Sequence, residues 1–146
     1  MNTFRKTNHD KILGVLRIFL GVMFLSTGLM KFTVAHLSDA FSAQLLQADI
    51  PFHGFNLKFV PLLEVLLGLV LTVGIYSRLA GLVVIPVMLV ASYVHLVVQD
   101  AALFPLQPNA PVVPLMTLVM AVYILWRGGG AWSLDRKAQM VAEKDR

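Results

Sequence analysis

Three ionisable side chains stand where this chain is otherwise apolar: Lys31 at the end of one hydrophobic run, Glu64 inside a second and His95 inside a third. A carboxylate and an imidazole held together could exchange protons or hydrogen-bond a carbonyl, since histidine titrates near neutrality. Ser92 and Gln99 share the helical face of His95 and extend that polar group. An ionised group within a membrane span costs at least about 2.5–3.5 kcal/mol on insertion scales, so such residues face protein and find partners. The expectation is a Lys31–Glu64 pair with His95 nearby. Either the three line a polar pocket, or the pair ties two helices together beside a satisfied buried imidazole.

A second set carries Arg17, Arg78 and Asp135. Two guanidinium groups at similar depth repel unless an anion lies between them, and Asp135 is the nearest acid by topology. This set reads as a structural clamp that pins the tail beneath the first two helices, with anionic lipid head groups as the alternative partner.

Other chemistry is missing from the sequence. It has no phosphate loop, no His-x-x-x-His pair, no nucleophile elbow and no dinucleotide fingerprint. With no cysteine, the chain cannot form disulfides, thiolate metal sites or a thiol redox couple. His36 and His53 are too few and too far apart to act as metal ligands, and Met88, Met116 and Met120 read as flexible core filling. Neither a metal nor a covalently bound cofactor is expected. Any redox work would need a quinone or a partner to carry the electrons.

The elements that must position these residues follow from hydropathy. The chain is 58% hydrophobic and 14% charged. Soluble domains average about 25% charged residues, so this composition points away from that class. The apolar residues gather in four runs, which predict membrane helices over about 11–32, 58–77, 79–99 and 112–127. The first run is too long for a signal-peptide core and is expected to stay as an anchor.

With the N-terminus inside, the inner flanks would hold Arg5, Lys6, Lys11, Arg78, Arg127, Arg136, Lys137, Lys144 and Arg146, and the outer flanks only Lys31 and Lys58. This asymmetry predicts four helices with both termini cytoplasmic, followed by a cytoplasmic tail over 128–146. The net charge of +4 is then a topological signal and not a nucleic-acid footprint.

Between the first two spans, Leu37, Phe41, Leu45 and Leu46 recur at helical spacing. They predict an amphipathic helix in the outer loop, with Ser38 as N-cap and Ile50-Pro51 as the stop. Pro61 is expected in the first turn of the second span and Pro86 in the middle of the third. In the first span Gly14, Arg17, Gly21, Gly28 and Lys31 form one stripe, as Glu64, Gly68 and Thr72 do in the second. Such stripes face protein, because small residues let helix backbones approach in lipid. Fourteen residues of helix rise about 21 Å, which brings Lys31 to the depth of Glu64 and Arg17 to the depth of Arg78 if the spans run in opposite directions.

The segments LRIFLGVMFLSTGLMKF (16–32), LLEVLLGLVLTVGIYSRLAGL (62–82), the His95 position and GGGAWSLDR (128–136) together resemble the DoxX family of small four-helix bacterial membrane proteins. That family includes the DoxD-type subunits of thiosulfate:quinone oxidoreductase. The resemblance implies a single all-α domain over 1–146, an integral four-helix bundle of the bacterial inner membrane. It also implies association with oxidoreductase subunits, or with copies of itself, acting on or near quinones. A non-catalytic scaffold or a small-solute permease is the alternative.

Overall fold

A computed structural model describes residues 5–98 and 111–144. The described residues are all-helical, with six helices in the order α1 (Lys11–Thr33), α2 (Ala35–Gln47), α3 (His53–Val73), α4 (Ser77–Val97), α5 (Val112–Arg127) and α6 (Leu134–Lys144). Gln99, Pro105 and Pro108 lie outside the described residues.

Three helices, α1, α3 and α4, are long and apolar enough to cross a membrane, and α5 is a shorter apolar helix of 16 residues. In each candidate span well under half of the most apolar window is buried inside the protein. Large side chains such as Phe19, Leu62, Leu66, Leu89 and Val119 are left on the outside. Helices satisfy their own backbone groups, so such surfaces are stable against lipid. This is a membrane protein in contact with the bilayer.

The principal packing is in two pairs, α1 with α3 and α4 with α5. The α1–α3 contact runs along the two small-residue stripes. A Cβ at Gly21 would lie 2.5 Å from the Thr72 backbone nitrogen, one at Gly68 2.5 Å from that of Leu25, and one at Gly28 2.8 Å from the Pro61 carbonyl oxygen. Backbones this close allow only hydrogen at those positions. Across the other pair, a Cβ at Gly81 would sit 2.9 Å from the Ala121 carbonyl oxygen. Leu20, Phe24, Leu71, Val84 and Ile124 fill the space between the pairs.

α1 starts at Lys11 because Asp10 accepts from the Ile12 and Leu13 amides, at 2.9 and 3.2 Å. Several other boundaries differ from expectation. α2 begins at Ala35 behind Val34, which gives no side-chain cap, and Ser38 lies inside the helix. α3 begins at His53, after Phe52 in the left-handed region, because the mixed segment 53–58, with His53, Asn56 and Lys58 among its residues, is itself helical. Pro61 therefore sits inside α3 and not in its first turn. α3 and α4 are joined by the short turn 74–76, yet each packs mainly against another helix.

Candidate functional site

The Lys31 ammonium donates to both oxygens of Glu64, at 2.6 and 2.8 Å. Glu64 is buried and Lys31 is mostly so. The pair forms because the α1 and α3 stripes run in opposite directions, with Gly28 admitting Pro61 and Val65 one turn away. The ammonium also lies 4.7 Å from the centroid of the Phe41 ring, a cation–π contact that brings in α2. One charge pair thus joins three helices.

Beside it is a cavity of about 610 Å³, lined by residues of all five helices α1 to α5. Most of its wall is apolar, including Met23, Phe24, Leu63, Val87 and Met88. Lys31, Glu64 and His95 all contribute to it, together with Thr27, Gln44, Asn56 and Thr117. His95 bonds through Nδ1 to the Ala91 carbonyl oxygen at 2.9 Å, and since a carbonyl only accepts, the proton is on Nδ1. Size and lining match those of small-molecule sites, which are mainly apolar with a few placed polar groups.

Ser92 does not join this wall. Its hydroxyl donates to the Met88 carbonyl at 2.7 Å, the back-bonding open to a serine within a helix. Phe41 and Gln44 were not singled out by their chemistry, although Leu37, Phe41, Gln44 and Leu45 share a helical spacing that could have flagged Gln44 as a polar residue on a buried face. His53 pairs with the Ser42 hydroxyl at 3.0 Å. Among the described residues no cluster of three His, Asp or Glu side chains could hold a metal ion.

At the opposite end, Arg17 is fully buried. Its Nε donates to the Gly129 carbonyl at 2.7 Å and its Nη1 to those of Leu71 and, at 2.9 Å, Thr72. Its Nη2 reaches the Ala131 and Trp132 carbonyls, each at 3.4 Å. Leu71 and Thr72 lie in the last turn of α3, so the cation occupies the negative end of that helix and satisfies carbonyls that have no partner within it.

The Asp135 carboxylate does the converse at α4. It accepts from the Tyr76 and Ser77 amides, both at 2.9 Å, and from the Ser77 hydroxyl at 3.0 Å. Its ion pair is with Arg5, at 3.3 Å, while Arg78 donates through Nε to the Lys6 carbonyl at 2.7 Å. Asp135 makes no hydrogen bond or ion pair with Arg17 or Arg78, although its charge acts on Arg17. The three side chains bind separate groups, because the end of α3 offers carbonyls to one charge and the start of α4 offers amides to the other.

These features define a class: an all-helical membrane protein of closely packed helix pairs, with a neutralised charge pair on the wall of a largely apolar cavity. The chain belongs to the DoxX family, whose model matches residues 12–96, more than half its length. The matched stretch holds Lys31, Glu64 and His95, while the GGGAWSLDR tail follows it. No curated protein and no solved structure matches the chain.

Proposed function

We propose that this DoxX protein is an accessory, quinone-interacting subunit of a membrane oxidoreductase system in the bacterial inner membrane. In this reading α5 completes a four-helix transmembrane bundle, α2 is the amphipathic outer-loop helix, and both termini are cytoplasmic. The α5 helix has 16 residues. At the helical rise this is a length of about 24 Å, short of a hydrocarbon core of about 30 Å, which local thinning of the bilayer accommodates.

The observation that carries the proposal is the cavity, where apolar walls meet Lys31, Glu64 and His95. Lys31 and Glu64 neutralise each other, so the site suits a neutral head group with hydrogen-bonding oxygens and an apolar ring or tail. Glu64 and His95 would hold that head group or pass its protons. Titration of a short-chain quinone into the reconstituted protein tests this. His95→Ala and Glu64→Gln are expected to weaken binding while His95→Ala keeps the native melting curve. Equal binding by all three proteins would sink the site, and cross-linked capture of redox subunits from native membranes tests the accessory role.

The Lys31–Glu64–Phe41 contact also favours a second reading, a non-catalytic scaffold or small-solute permease in which the pair serves packing. Loss of stability in Glu64→Gln with unchanged quinone binding in His95→Ala would select it.

A further inference from the structure

The tail helix α6 has a face that the bundle leaves bare. Asp135 and Gln139 point inward, with Asp135 capping α4 and the Gln139 side-chain oxygen accepting from the Thr7 amide at 3.2 Å. Leu134, Ala138 and Val141 then fall on one stripe, at i, i+4 and i+7, about 110° round the helix from those anchors, with Leu134 and Val141 exposed and Ala138 half-buried. Val141 is 61% exposed. Lys137 and Lys144 flank the stripe two turns apart on one side.

The depth of this helix can be read from Trp132, which precedes it. Its ring lies where a Cβ at Gly14 would be 3.2 Å from Cε3, so it sits beside the first turn of α1. Trp126, near the end of α5, is also exposed, and tryptophans favour the membrane–water boundary.

Charge points the same way. Among the described residues the acids at this end are already engaged: Asp10 caps α1, Asp135 caps α4, and Glu143 accepts from Gln139 at 3.0 Å. Among the described residues the one salt bridge there is Arg5–Asp135. Arg127 and Arg136 each keep a buried Nε with no hydrogen-bond partner.

We propose that α6 is an in-plane interfacial helix that docks on the head groups of an anionic phospholipid leaflet, with its Leu134–Ala138–Val141 stripe in the interface and Lys137 and Lys144 on lipid phosphates. An apolar stripe flanked by lysines is the pattern by which helices lie in such interfaces, the lysine stems reaching along apolar surface to the charged layer. Through Asp135 the same helix caps α4, so lipid binding and the α3–α4 turn share one element.

The absence of native cysteine makes the test direct. Val141→Cys and Glu143→Cys place single nitroxide labels on opposite sides of α6 in the full chain, reconstituted in phosphatidylcholine vesicles with or without phosphatidylglycerol. Both positions are exposed, so native melting curves are expected. The label at 141 should collide more with oxygen than with a water-soluble nickel complex, and the label at 143 the reverse. Phosphatidylglycerol should draw 141 deeper, and Lys137→Gln with Lys144→Gln should abolish that shift. Equal nickel access at the two positions would overturn the proposal. So would a depth at 141 indifferent to phosphatidylglycerol, or dipolar broadening that shows the stripe packed against a second copy.

Discussion

Lys31 and Glu64, 33 residues apart in sequence, meet in a two-pronged ion pair that locks the register of α1 against α3. Removing one partner leaves the other charged, largely buried and unpaired. Glu64→Gln should therefore destabilise the protein by about 3 kcal/mol, and the exchange Lys31→Glu with Glu64→Lys should recover much of the loss. Thermal unfolding in one detergent checks both; a melting curve of Glu64→Gln equal to the parent's would refute the buried-pair account.

The glycine stripe makes a separate prediction. A methyl group at Gly68 or Gly21 meets backbone atoms 2.5 Å away, which cannot yield without parting the helices. Gly68→Ala and Gly21→Ala should each cost about 1–3 kcal/mol by overpacking. Gly54, in the first turn of α3, has nothing within 4 Å. Gly54→Ala should stabilise by about 0.5–1 kcal/mol, since alanine is the better helix former. Opposite signs are expected from the same substitution, read by the same melting experiment.

Asp135 caps a helix it does not belong to. Its carboxylate serves two amides and a hydroxyl. Asp135→Ala removes those acceptors and should cost about 1–2 kcal/mol, with Asp135→Asn closer to the parent. Limited proteolysis should also cut within α6 sooner in the alanine variant. Unchanged cleavage would mean that α6 is held by other contacts.

Arg17 serves five carbonyls through a planar fork, and lysine has a single nitrogen to offer. Arg17→Lys is thus expected to lose more than about 1 kcal/mol, and Arg17→Leu more again, since each buried acceptor left unsatisfied costs about 1–3 kcal/mol. Denaturation midpoints of the two variants would establish the order. A lysine variant as stable as the parent would contradict it.

Sequence and structure agree where one helix face meets another. The spacing of Gly21, Gly28 and Lys31 against Glu64, Gly68 and Thr72 was enough to foresee how α1 and α3 pair, because helical periodicity decides which residues share a face. Asp135 was harder to read. Its partners depend on a chain reversal through Gly128 and Gly130, both at positive φ, and on amides of a turn 58 residues away, which leave no periodic trace. The start of α3 was hidden for another reason: residues 53–58 interleave His53, Asn56 and Lys58 with Phe55 and Leu57 and are helical, so hydropathy placed the boundary too late. Ser92 carries the right spacing for the pocket and spends its hydroxyl on its own helix.

The knot around Arg17 has a mechanical meaning. It fastens α1, the end of α3 and the tail at one end of the molecule, while the cavity lies toward the other. A helix of about twenty residues held at its foot is a lever of about 30 Å, so a tilt of about one degree displaces its far end by about half an ångström. Small pivots about a fixed base would widen the cavity and leave the glycine contacts nearest the knot undisturbed. Amide exchange that is slow around Leu71 and Ala131 and faster around Lys31 would be the mark of such a lever.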